Sequence, residues 1–170
     1  MTSETKPHLT RAHVTELLRG MIRIRRFEDK CAELYTREKI RGFLHLYDGE
    51  EAVAMGVIPV LGPKDRVVAT YREHGHALAR GVAMGPIMAE MYGKTTGLSK
   101  GKGGSMHMFD KEKNLFGGHG IVGAQIPMGA GIAFADWYRD EKHVTVTFFG
   151  DGAARQGALH ETFNMAMLWK

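Results

Sequence analysis

Glycine placement constrains this chain more than any other feature. Eleven of its 22 glycines fall within the 39 residues from Gly93 to Gly131. Glycine weakens helices and strands and opens positive φ, so this density argues against regular structure over most of the stretch and lets backbone approach a ligand closely. Regular patterns flank it. From Val14, apolar residues recur at Leu17, Leu18, Met21, Ile24, Phe27, Cys31, Leu34 and Tyr35, the spacing of an amphipathic helix. A turn at "HLYDGEE" leads to a helix over 50–57, "RVVATY" (66–71) reads as a strand, and a helix is expected around Pro86–Tyr92. Beyond the glycines come a helix over 129–140, a β-branched strand "HVTVTFF" (143–149) and a helix over 157–170. This order predicts an α/β fold: a largely parallel sheet with helices on both faces, preceded by a helical N-terminal segment. A tail over 1–13 and one domain over 14–170 are expected, since 170 residues suffice for a single substantial core.

Composition narrows the function classes. Charged residues make up 25% and the formal charge is +4, spread along the chain and not gathered in a block. The densest basic cluster, Arg23, Arg25 and Arg26, is followed at once by Glu28 and Asp29. Nucleic acid is therefore not an expected partner, while small anions are compatible. The single cysteine, Cys31, rules out an intrachain disulfide and a cysteine metal cluster. No apolar run is long enough for a membrane span, so no membrane role is expected. "MTSETKPH" lacks a signal core, which favours a cytoplasmic location, or a mitochondrial matrix one if a transit peptide has been removed.

The segment "FFGDGAARQG" (148–157) carries the chemistry. An apolar strand stops on Asp151, held between Gly150 and Gly152, and a helix follows. At the carboxyl end of a parallel strand such an aspartate projects into the crevice where α/β proteins bind ligands. A carboxylate there suits Mg²⁺, which takes oxygen ligands and bridges carboxylates to phosphates. The helix start offers N–H groups to the same anion. The competing reading is an aspartate that caps the helix. Two other glycine patterns fail as nucleotide signatures. Gly118–Gly123 satisfies G-x-G-x-x-G but follows "KEKNLFG", which does not read as a strand, and "GLSKGKGGS" has P-loop glycines at the wrong spacing.

Five motifs occur in one order: "RGFLHLYDGEEA", "YREHGH", "GKGGSMHMF", "GGHGIVGAQIPMGAG" and "GDGAARQG". Together they closely resemble the α subunits of the thiamine-diphosphate-dependent E1 component of pyruvate dehydrogenase, from about residue 14 to the end. The resemblance implies the thiamine-diphosphate-binding fold. It also implies Asp151 as the Mg²⁺ ligand, with Gly152 and Ala153 against the diphosphate. Tyr71 and Arg72 match a pair that contacts diphosphate oxygens, which suits an arginine fork. Gly120 and Val122 match positions facing the aminopyrimidine. His45 matches a histidine of the substrate channel, and His74, beside the diphosphate pair, is the second catalytic candidate; His76, His107 and His119 are expected to be structural. Ser105 reads as a turn hydroxyl. The implied activity is oxidative decarboxylation of pyruvate with acetyl transfer to the lipoyl group of an E2 partner. The E1 β subunit completes an α₂β₂ heterotetramer.

The resemblance departs in two places. Arg155 stands where the family usually has asparagine. The chain also ends before the second half of the thiamine motif, so the thiamine-binding fold is expected to be incomplete, with uncovered apolar surface and weak cofactor binding by the isolated chain. Two alternatives remain at this point: an acetoin or branched-chain 2-oxo acid E1, and a truncated non-catalytic module that binds the β subunit.

Overall fold

A computed structural model of the protein describes residues 9–169. Helix α1 (Arg11–Thr36) begins earlier than its apolar stripe suggests, because the Thr10 side chain caps it by accepting from the His13 N–H at 3.2 Å. The expected tail is therefore helical from Arg11 onward, and residues 1–8 lie outside the described residues. Ile24, Phe27, Glu28 and Cys31, spaced one helical turn apart, form the buried stripe of α1. Helix α2 (Glu51–Val57) crosses it where Gly20 makes room: a Cβ there would sit 2.2 Å from the Met55 terminal methyl.

Strands β1 (Arg66–Thr70), β2 (Leu115–His119) and β3 (Thr145–Thr147) form one sheet in the order β2-β1-β3, with both pairings parallel. Central β1 is buried on both faces at Val67, Val68 and Ala69, as a parallel strand covered on both sides must be. Val67 joins the core built by α1, α2, α3 (His74–Ala79) and α4 (Met84–Met91). On the sheet's other face, α5 (Gln125–Tyr138) packs across β1 and β3. Gly129 permits that approach, since a Cβ would collide with the Thr147 hydroxyl at 1.8 Å. Arg66 of β1 forks onto Asp136 of α5, with Nε 2.6 Å from Oδ2 and a second contact to Oδ1. Helix α6 (Gly157–Trp169) packs on α5. The expected α/β architecture, a parallel sheet between helices, is what the chain adopts.

Two elements were not expected. Strand β2 lies inside the glycine-dense stretch, and its own residues, "LFGGH", carry no strand pattern. It is a strand because it pairs with β1, and its glycines are places where neighbours fill the missing side chain. A Cβ on Gly118 would lie 2.4 Å from the Glu73 carboxyl, and one on Gly117 (φ +78°) 2.4 Å from the Phe109 ring. The pairing slips between Val67 and Ala69 to accommodate this backbone. Gly118–Gly123 therefore begins inside a strand and leads into a helix, where the sequence reading expected no strand. Helix α3 is the second, six residues opening on buried histidines.

At the far edge, β3 is only half-buried, and α5 and α6 expose Trp137, Phe163 and Leu168, in keeping with the uncovered apolar surface expected from the sequence. Among the described residues no helix is long and apolar enough to cross a membrane.

Candidate functional site

The carboxyl ends of β1 and β3 open into one cleft of about 430 Å³. Thr70, Tyr71 and Arg72 enter it as β1 ends, and Phe148 to Ala153 enter as the chain leaves β3. Val122 comes from the turn between β2 and α5, and Gln125 is the first residue of α5. Parallel strands bring this about, because all three release the chain at the same end of the sheet.

Asp151 is exposed in the cleft, and among the described residues its carboxylate accepts no hydrogen bond. It does not cap α6, which starts six residues further on. The intervening 3-10 turn, Ala153–Arg155, has Gly152 at its cap position and no side-chain cap bond. The capping alternative therefore fails. The turn closes on itself through Ala154 N–H to Gly150 C=O at 3.1 Å and Arg155 N–H to Gly152 C=O at 3.2 Å. Among the described residues, the N–H groups of Asp151 and Gly152 are left without an acceptor, as an anion-receiving turn leaves them. Opposite them stands Arg72, whose Nη1 donates to the Leu46 carbonyl at 2.6 Å and whose guanidinium lies 5.7 Å from the Tyr71 ring centre. A carboxylate with no protein partner, free amides and a braced guanidinium could together hold an anion bridged by a cation. Among the described residues no three His, Cys, Asp or Glu side chains cluster for a metal, so a cation here would need oxygens from its ligand as well.

Comparison with known proteins gives the family. The profile of the family described as Dehydrogenase E1 component matches residues 19–170. This chain belongs to the dehydrogenase E1 component family. The chain is 52% identical over 164 residues to the pyruvate dehydrogenase E1 component subunit alpha of Zymomonas mobilis, covering 96% of this chain and 46% of that protein. The corresponding Rhizobium meliloti subunit is 56% identical over 152 residues, covering 89% and 44%. A chloroplastic subunit alpha-3 of Arabidopsis thaliana is 47% identical over 175 residues, covering 99% and 41%. The chain thus spans a little under half the length of these family members.

Of the nine residues singled out from sequence, the cleft of this E1-family chain gathers Tyr71, Arg72, Val122, Asp151, Gly152 and Ala153. Gly120 lies just outside, turned toward the His107 ring, which a Cβ would meet at 3.3 Å. His45 stands at the cleft margin, its ring 4.7 Å from that of Tyr71. Partial burial, and then the Arg72 cation, push its pKa down from the ordinary histidine value.

His74 is elsewhere. It is fully buried, with Nδ1 2.9 Å from one Glu28 oxygen and Nε2 3.0 Å from the Ser105 hydroxyl. Both ring nitrogens are engaged inside the protein, so His74 does not touch the cleft, contrary to its expected place beside the cofactor. The cleft's histidine floor is His76, which the sequence reading set aside as structural. It sits between the rings of Tyr47 at 4.7 Å and Phe148 at 4.3 Å, and burial takes its pKa down to about 3, which keeps it neutral. A turn-by-turn reading of "YREHGH" as a helix start would have placed it one turn from Arg72. Gln125 is a second missed residue: its Oε1 accepts from Gly123 N–H at 3.1 Å and fixes the turn that carries Val122.

The P-loop-like segment "GLSKGKGGS" holds an anion of its own. The buried Glu90 carboxylate accepts from the N–H groups of Ser99 (2.7 Å), Gly101 (2.9 Å), Gly103 (2.6 Å) and Gly104 (3.3 Å). No phosphate can enter a loop already filled by a carboxylate.

Proposed function

We propose that this chain forms one wall of the thiamine diphosphate site of a pyruvate dehydrogenase E1 α subunit. It would act with the E1 β subunit in an α₂β₂ heterotetramer, in the cytoplasm, and pass acetyl groups to the lipoyl domain of E2. The observation that carries this reading is the partnerless Asp151 carboxylate beside two free amides and across from Arg72. Membership of the E1 family and the names of the similar subunits support it.

Asp151 would hold Mg²⁺ through one carboxylate oxygen, and diphosphate oxygens would fill further positions around the ion. Arg72 would take the diphosphate in a forked, charge-assisted pair, already braced by Leu46 so that little ordering is lost on binding. The N–H of Gly152 would donate to the same anion, and Tyr71 would offer its hydroxyl. Val122 stands against Gly152, with a methyl 3.8 Å from where a Cβ would be, and would give the bound group an apolar ledge. When bound, thiamine diphosphate would supply a nucleophilic carbon and a cationic thiazolium ring able to take up the electron pair released in decarboxylation of a 2-oxo acid. His45, whose pKa is pushed down by partial burial and the Arg72 cation, would orient the substrate or move a proton at the cleft margin.

The test is titration calorimetry and turnover on the chain assembled with its β subunit. Mg²⁺-dependent thiamine diphosphate binding is expected, with Asp151→Ala weakening it by about 100-fold or more. Unchanged cofactor occupancy and turnover in that variant would overturn the reading. Rates with pyruvate, acetoin and branched-chain 2-oxo acids, with pyruvate expected to be fastest, fix the substrate.

A further inference from the structure

Behind the cleft runs a chain of buried polar groups that cofactor binding does not use. Glu28 lies on α1, His74 opens α3 and Ser105 sits in the connection before β2, and all three are buried. His74 Nδ1 is 2.9 and 3.1 Å from the two Glu28 oxygens. A carboxylate only accepts, so Nδ1 carries the proton and the ring's tautomer is fixed from that side. Nε2 faces Ser105 twice, 3.0 Å from its hydroxyl and 3.1 Å from its carbonyl oxygen. With Nδ1 protonated and the ring neutral, Nε2 accepts from the Ser105 hydroxyl; the carbonyl contact is a hydrogen bond only when Nε2 also carries a proton. The Ser105 oxygen in turn accepts from the backbone N–H of His45 at 3.4 Å.

We propose that Glu28, His74 and Ser105 are positioning residues that set the placement of His45 at the cleft margin. This rests on the functional reading given for that margin. The segment around His45 has no regular structure of its own, with the next element, α2, starting only at Glu51. Its backbone is therefore fixed from outside, by Ser105 at His45 and by Arg72 at the Leu46 carbonyl. These two anchors flank one peptide unit and keep the His45 ring against Tyr71. The groups that face the ring are Tyr71, Arg72 and, further in, His74. A buried network of this kind is costly if half-satisfied, and here Glu28, His74, the Ser105 hydroxyl and the His45 N–H follow one another within hydrogen-bond distance.

The experiment follows the His45 ring by NMR in the protein labelled at histidine, and compares wild type with Ser105→Ala and Glu28→Gln. Removing the anchor should let the ring leave Tyr71 and move its titration up toward the ordinary histidine value. Ser105→Thr, which keeps the hydroxyl, should restore it. In the assembled enzyme, Ser105→Ala should lower kcat about 10- to 100-fold while thiamine diphosphate affinity stays within about 2-fold. An unchanged His45 titration in both Ser105→Ala and Glu28→Gln would overturn the proposal, as would a loss of cofactor affinity equal to the loss in kcat. Should Ser105→Ala fail to fold, Glu28→Gln carries the same expectation. The ring titration needs neither cofactor nor turnover, so it stands apart from the Asp151→Ala test that decides the cofactor reading.

Discussion

Two glycine-rich loops of this protein meet negative charge in opposite ways. The loop over 97–104 is wrapped around the Glu90 carboxylate, which takes four of its N–H groups. The loop over 150–153 has a carboxylate, Asp151, that points outward, and its first amides are unfilled. One loop is completed by its own chain; the other leaves its amides open to solvent or to a ligand. Glycine content does not separate them. The destination of the backbone N–H groups does, because donors enclosed by the fold must find an acceptor within it, whereas exposed ones can be met by water or a ligand.

The comparison can be broken at the closed loop first. Glu90→Leu leaves the four donors without a partner and should cost about 3 kcal/mol or more in urea unfolding. Glu90→Gln keeps one of the two oxygens and should cost roughly half of that. A loss below about 1 kcal/mol for Glu90→Leu would show that the loop holds its shape without the carboxylate. Next, Gly101→Ala should cost about 2 kcal/mol, since φ is +78° there and a Cβ would lie 2.5 Å from the Gly93 backbone. Gly150→Ala in the open loop meets nothing within 4 Å and should cost less than about 0.5 kcal/mol. Equal costs in thermal melts would erase the distinction.

The smallest effect concerns the far end of the sheet from the open loop, where β1 begins. Arg66 donates to Asp136 and holds that carboxyl below its ordinary value of 3.8. A carboxyl with a depressed folded pKa stabilises the fold at pH above its unfolded value, and that contribution is lost as pH falls through the folded one. Unfolding curves should therefore show a loss of stability below about pH 4 that Asp136→Asn reduces.

Much of this was legible in the residues. The spacing of apolar side chains gave α1 and α6, and β-branched runs gave β1 and β3. Strand–Gly-Asp-Gly–helix placed Asp151 at a strand end, where the cleft is. Strand β2 was not legible, because "LFGGH" becomes a strand through pairing with β1 and its glycines are explained by Glu73 and Phe109, neighbours distant in sequence or in loops. Helix α3 escaped for a similar reason: "HGHALA" is too short for a periodic pattern. His74 looked like a cofactor residue because it adjoins Tyr71 and Arg72. Its side chain instead faces Glu28, 46 residues away, since α3 begins at His74 and turns it into the core.

The linear sequence determined which residue types were available and where the chain could leave a strand. It placed a carboxylate between glycines, a Tyr-Arg pair after a β-branched run, and a dense set of glycines between them. Tertiary structure decided which polar groups were spent and which were free. Glu90 and His74 are consumed by partners that only folding brings near, and Asp151 is spared. The physical reason is that hydrogen-bond satisfaction of a buried group depends on groups far along the chain, whereas helix and strand periodicity is a local property.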